Sequence, residues 1–248
     1  MGKNRLGKKI VNIYLCLLKN KFPQYYAYQG RKISKKITLP KKILINEFYN
    51  KYSFDAKIVQ FHNNYNLNKK ISIPTKLKKI NVEIGFGNGE FLIKSAIAKP
   101  DELFIGIEVY LNGIANVLKS ILDHQIQNIL LSNVNSFYFL DAIQTKSIDK
   151  IFIINPDPWI KKRHHKRRLM SFKVIQLLTK VVKLKHSIYM TTDSKLYLND
   201  TLSILTKYRD LFGDFNFSML SKNDKLYGIS RYQRKAIEKR RKIYLLTF

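Results

Sequence analysis

Lys79-Ile80-Asn81-Val82-Glu83-Ile84-Gly85-Phe86-Gly87-Asn88-Gly89-Glu90-Phe91-Leu92 is a short apolar run, then three glycines at alternate positions, then an acidic residue leading a second apolar segment. The pattern predicts a strand over 80–84, a tight turn, and a helix over about 89–98. Glycines in such a turn permit positive φ and let a ligand come close to the backbone. The helix start beyond them offers unpaired N–H groups. A dinucleotide-binding turn needs G-x-G-x-x-G. Here the last glycine comes one residue early, at Gly89, and Glu90 stands where that glycine belongs. A carboxylate at a helix start would repel a pyrophosphate, so a nicotinamide dehydrogenase is disfavoured. The plain alternative is a glycine turn that holds no ligand.

Outward from this turn the chain alternates between the two periodicities. Strands are predicted at 103–109, 129–131, 151–154, 187–191, 215–220 and 243–248, making seven with 80–84. Helices are predicted at 111–124, where Ile114, Val117, Leu118 and Ile121 share a face, and at 172–182 and 197–208. Strands alternating with helices of this length imply right-handed crossovers and a mostly parallel, Rossmann-like α/β sheet flanked by helices. Residues 1–78 are basic, rich in Tyr and Asn, and weakly periodic, and read as a partly helical N-terminal extension; 79–248 form the main domain.

The second strand ends in Gly106-Ile107-Glu108, 19 residues beyond Gly89. An acceptor at that strand end can hold the two hydroxyls of a ribose. Glu108 therefore supports a nucleoside cofactor, without choosing between nicotinamide and methyl-donor chemistry.

The charge balance narrows the partner. Across 248 residues, 46 Lys+Arg stand against 17 Asp+Glu, a formal net charge of +29. Lys and Arg that neutralise phosphates release condensed counterions, so nucleic acid is the favoured partner, with an anionic membrane surface as its rival. Part of the excess also suits the Lys-, Asn-, Ile- and Tyr-heavy composition of an AT-rich coding sequence. Cys16 is the lone cysteine, which removes any disulfide framework and suits a reducing compartment. No apolar run approaches the roughly 20 residues of a spanning helix. Ile10 to Leu18 follows several lysines as a signal peptide would, yet Asn12 interrupts it and Lys19-Asn20-Lys21 replaces a cleavage site. Leu6 stands where a myristoylation signal wants Ser or Thr. A cytoplasmic location is expected.

The fourth strand runs into Asn155-Pro156-Asp157-Pro158-Trp159. Ligands of open parallel sheets sit beyond the C-terminal strand ends. Two prolines stiffen this turn and set the direction of Asp157 between them, and Trp159 offers a stacking face for a base. Lys161-Lys162-Arg163-His164-His165-Lys166-Arg167-Arg168 follows, six formal cations in eight residues. Directly after an active loop, such a run suits phosphate contact better than a merely solvated face. His164 and His165 make no metal site, because adjacent residues rarely converge on one ion and no ligand-type partners are spaced nearby.

Taken with 83–90 and 106–108, the segment Asn155 to Arg168 closely resembles the bacterial tRNA (guanine-N7)-methyltransferase family, within the class I methyltransferases. That family is marked by a PDPW loop followed by K-x-R-H-x-K-R-R. The resemblance covers about 79–248, with a weaker echo at Tyr28-Gln29-Gly30-Arg31-Lys32. It implies S-adenosylmethionine as cofactor, tRNA as substrate, and a variable-loop guanine as target, with no metal. Cofactor contacts are implied for Glu83, Gly85, Gly87, Glu108, Asn135 and Asp157, and an active-loop role for Asp157. Substrate contacts are implied for Lys161, Asp193, Ser230, Arg231, Tyr232 and Gln233, and RNA-backbone contacts for Arg163, Lys166, Arg167 and Arg168. Two positions depart from the family pattern. Its adenine-side Asp is Asn135 here, which keeps an acceptor and adds a donor. Its T-x-(F/Y)-E is Ser230-Arg231-Tyr232-Gln233, with an amide in place of the carboxylate. Two rivals share the fold: a catalytically silent RNA-binding protein, and an exocyclic-amino methyltransferase, whose N-P-P-aromatic loop lacks the Asp157 inserted here.

Overall fold

In the computed structural model, which describes residues 37–63 and 70–248, the alternating pattern becomes one seven-stranded sheet. Cys16, the apolar run from Ile10 to Leu18 and the Tyr28–Lys32 echo lie outside the described residues. The strands are β1 (Lys79–Ile84), β2 (Glu102–Ile107), β3 (Ile129–Ser132), β4 (Lys150–Ile154), β5 (Ile188–Thr192), β6 (Asn216–Met219) and β7 (Tyr244–Thr247). Their order is β3-β2-β1-β4-β5-β7-β6. All neighbours pair in parallel except β7, which runs antiparallel to both β5 and β6. The order reverses between β1 and β4, and a crevice forms beyond the carboxyl ends of strands at such a switch.

The helices are α1 (Leu39–Tyr52), α2 (Asp55–Asn63), α3 (Glu90–Ala98), α4 (Leu111–Asp123), α5 (Ser136–Ala142), α6 (Phe172–Val181), α7 (Lys195–Lys207), α8 (Arg209–Phe212) and α9 (Arg231–Glu238). Side-chain oxygens of Ser171, Ser194 and Ser230 cap α6, α7 and α9, each satisfying an N–H of the first turn. Strand side chains alternate between faces, so Leu103, Ile105 and Ile107 of β2 enter one apolar cluster and Phe104 enters another. Among the described residues no helix is long and apolar enough to cross a membrane.

Two helices form where the sequence reading assigns no element. Residues 136–142 form α5, although Phe137 to Leu140 is a continuous apolar run with no readable helical period. The basic stretch after Tyr232 is helical as α9, because the Ser230 cap and the buried Gln233 and Ala236 outweigh its charge. From the N-terminal region, Phe54 and Ile58 bury in the cluster that holds Ile105, and Tyr49 of α1 in the one that holds Phe104.

Candidate active site

The glycine turn is held from below by a close approach that periodicity does not reveal. A Cβ at Gly113, inside α4, would lie 1.9 Å from the Gly87 carbonyl oxygen. Only glycine lets α4 pass under the turn. Gly87 itself has φ +58, and the space where its Cβ would sit is empty to 4 Å. That open space belongs to a cavity of about 1510 Å³ lying over the ends of β1, β2 and β4. A single small-molecule site is typically about 300–1,000 Å³. There is room here for a nucleoside and a base together.

Glu83 and Glu108 line this cavity, with Gly85, Gly87, Asn135 and Asp157. Glu108 Oε2 accepts the Gly87 N–H at 2.8 Å, and Oε1 accepts those of Val109 and Tyr110 at 2.8 and 3.0 Å. Its carboxylate therefore shapes the glycine turn as well as facing the cavity. Burial raises its pKa, and the three backbone donors hold it down. Glu83 is deeper, and its Oε2 is buried with no hydrogen-bond partner. Burial and the neighbouring charge of Glu108 push its pKa up to about 8, against a lowering contact from the Leu92 backbone. An orphaned buried acid beside a second carboxylate suits a cationic group, and a strand-end carboxylate suits a ribose. These residues fit a nucleoside cofactor with a cationic tail. Asn135 lines the cavity and also caps α5, its Oδ1 accepting from Phe137 N at 2.9 Å.

The Asn155–Trp159 loop opens onto the same cavity. It leaves β4 through Asn155 at φ 49, which asparagine tolerates better than most residues, and ends with Trp159 at φ 40, which a side chain of this size rarely adopts. Such strain persists only where neighbours over-determine it. The neighbours are identifiable. Thr191 Oγ1 donates to Asn155 Oδ1 at 2.9 Å. Arg168 Nε donates to the Pro158 carbonyl at 2.7 Å. Asp157, between the prolines, is exposed toward the cavity.

The basic run divides into two groups. Residues Lys162–Arg167 form a 3-10 turn. Lys161, Lys166, Arg167 and Arg168 line the cavity, and Arg163 is exposed outside its lining. Arg167 lies over the Trp159 ring, 5.0 Å from its centroid, with its buried Nε unpaired. One face of the tryptophan expected to stack on a base is thus already covered. Arg168 turns inward instead of outward. Its side chain is 4% exposed, ion-paired with Asp200 and set over the Tyr197 ring. A guanidinium so enclosed holds the loop.

At the C-terminal end, Ser230, Arg231 and Tyr232 line the cavity, but Gln233 and Asp193 do not. Gln233 is fully buried, its Nε2 donating to Thr191 Oγ1 at 3.1 Å and its Oε1 accepting from Ile229 N at 3.1 Å. Asp193 pairs with Arg241 at 3.1 Å. In this structure the polar atoms of Gln233 are spent inside the fold, while Asp193 stays partly exposed beside Arg241. Arg234 grips Glu90 with two bonds of 2.9 Å, tying α9 to the start of α3. Gly113 and Thr191 were not legible as site residues. An isolated glycine inside the α4 pattern was the one available signal, since glycine costs a helix about 1 kcal/mol without some packing reason.

Comparison with known proteins agrees with this geometry. Residues 77–246 match the family model described as "Putative methyltransferase". A tRNA (guanine-N(7)-)-methyltransferase of Bartonella henselae is 32% identical over 231 residues, 90% of this chain and 94% of that protein. The enzyme of the same name from Wolbachia pipientis wMel is 34% identical over 167 residues, 67% of this chain and 72% of that one. A bifunctional methyltransferase of Rickettsia typhi is 33% identical over 217 residues, 86% of this chain; the chain spans only 38% of that relative's length. A crystal structure of the 16S rRNA methyltransferase KamB shares the fold, with a TM-score of 0.52 and 12% identity over 69% of this chain and 88% of that one.

Proposed function

The chain belongs to the tRNA (guanine-N7)-methyltransferase family, and on that premise we propose that it transfers a methyl group from S-adenosylmethionine to N7 of the variable-loop guanine of tRNA, acting in the cytoplasm. One observation carries the proposal: the nucleoside-type residues Glu83 and Glu108, the Asp157 loop and the cationic Lys161, Lys166 and Arg167 all line one cavity. S-adenosylmethionine supplies a methyl group already activated by its sulfonium centre.

The protein's own residues then have mainly to align the partners, and correct alignment is worth up to about 7–11 kcal/mol. Guanine N7 carries a free lone pair, so no residue has to remove a proton before attack. Glu108 would take the ribose hydroxyls, and Glu83 the cationic amino-acid end. Asp157 would accept from the guanine edge or offset the positive charge that builds on the ring as N7 is alkylated. Lys161, Lys166, Arg167 and Arg231 would hold the RNA backbone around it, with Arg163 extending the basic surface.

Incubation with labelled S-adenosylmethionine and bulk tRNA, followed by nucleoside analysis, tests the proposal. The expected product is 7-methylguanosine, revealed by chain scission under reductive aniline treatment. Methyl found on an exocyclic amine would overturn the target assignment. Binding of tRNA with no methyl transfer would leave an RNA-binding protein on a methyltransferase fold.

A further inference from the structure

Asp55 is a carboxylate buried at the junction between the N-terminal helices and the sheet edge. It accepts from three donors: the Tyr49 hydroxyl, the Ser132 hydroxyl at 2.6 Å and the Asn133 backbone N–H at 3.0 Å. Asn133 N also approaches the Tyr49 oxygen at 2.7 Å. One residue earlier, Phe54 N donates to Leu131 O at 3.0 Å, docking this segment alongside β3. Burying a carboxylate is costly unless its acceptor sites are filled, and here they clamp the turn that leaves β3. That turn runs into Val134, Asn135, Ser136 and Phe137, all in the cavity wall. The Asn133 side chain then reaches across to the Glu108 carbonyl at 2.8 Å, at the end of β2. One carboxylate from the N-terminal region thus braces both strand ends on the nucleoside side of the cavity, while touching none of the cavity itself.

We infer that Asp55, with Tyr49, is a positioning residue for the cofactor: it holds the 132–135 turn and the Glu108 strand end in the shape that takes the nucleoside. The inference rests on the cavity being the S-adenosylmethionine site.

The test is calorimetric binding of S-adenosylhomocysteine to the whole protein, beside binding of tRNA and a thermal melt. Asp55→Asn should weaken S-adenosylhomocysteine by about tenfold or more, the scale of losing a charge-assisted hydrogen bond, with tRNA affinity nearly unchanged. Tyr49→Phe, which removes one hydroxyl, should weaken it less and serves if Asp55→Asn does not fold. Ile58→Val trims a buried methyl from the same helix without touching the polar cluster. It should lower the melting temperature and leave cofactor affinity alone. Equal weakening in Ile58→Val, or unchanged affinity in the Asp55 and Tyr49 variants, overturns the inference. Failure of the wild-type protein to bind S-adenosylhomocysteine overturns the cofactor reading itself.

Discussion

Gln233 Nε2 donates to Thr191 Oγ1 at 3.1 Å, joining the last helix to the end of a central strand 42 residues earlier. The Thr191 hydroxyl passes its own hydrogen to Asn155 Oδ1 at 2.9 Å and receives the Asn155 N–H at 3.3 Å. A hydroxyl has one donor and two acceptor sites, so Thr191 is saturated. The chain of bonds fixes the left-handed residue from which the Asp157 loop departs, and it explains why an amide at 233 is buried.

Thr191→Val keeps the shape of this side chain and removes every one of these bonds. Each buried group left unpaired costs about 1–3 kcal/mol. The maximal transfer rate should fall roughly tenfold or more as the loop loses its orientation, with S-adenosylmethionine affinity little altered. Steady-state kinetics separate the two, and a fully active variant would remove Thr191 from the positioning network.

Asp157→Asn should preserve fold and cofactor affinity and lower the transfer rate by about 10²–10³, the scale of one lost transition-state contact. Single-turnover assays on tRNA measure it directly. Wild-type rates in this variant would leave the loop without its proposed electrostatic role.

Gly113→Ala tests the underside of the glycine turn. The added methyl would sit 1.9 Å from the Gly87 oxygen, so either α4 or the turn has to shift. Overpacking of this kind costs about 1–3 kcal/mol. Cofactor binding should weaken by more than the stability loss explains, because Gly87 N is also the donor to Glu108. Calorimetry beside a thermal melt distinguishes a displaced turn from general destabilisation.

The basic run should split in RNA binding as it does in space. Neutralising Arg163, Lys166 and Arg167 should weaken tRNA binding and lower the log–log salt slope by about 0.7–0.9 per lost phosphate contact. Arg168→Ala should instead lower the melting temperature, since it strips the Pro158 carbonyl of its partner and leaves Asp200 only the His165 ring at 3.6 Å. It should change the slope little. A slope change as large in Arg168→Ala as in the others would return that residue to the phosphate contacts.

Glu83 should make the ligand-free protein pH-sensitive. Its pKa rises from 4.5 unfolded to about 8 folded through burial and the nearby Glu108 charge. Between those values the folded state holds a proton that the unfolded chain has released. Stability contributed by the neutral acid is therefore lost as pH climbs from about 4.5 to about 8. Melting temperatures should decline across that window, and Glu83→Gln should flatten part of the decline. A cationic ligand favours the ionised form, so binding should release a proton, visible as buffer-dependent heats near pH 7. Identical pH profiles for wild type and Glu83→Gln would exclude this linkage.

The alternation of apolar runs, the glycine spacing, the acid at 108 and the PDPW loop were legible because each is written within one strand, turn or helix. Their chemistry follows from local periodicity and from what glycine and proline do to a backbone. That locality carried the sheet, the crevice and the residues facing it. What the tertiary structure alone decided is which polar groups are bonded inside the fold. Arg168 belongs by sequence to a run of cations, yet Asp200 and Tyr197, about 30 residues on, draw it inward. Gln233 reads as a substrate contact until Thr191 is found beside it. Asp55 has no motif at all, and its role depends on Ser132 and Asn133 nearly 80 residues away. A buried polar group takes the nearest partner that offsets its desolvation, and folding, not chain order, sets which partner is near.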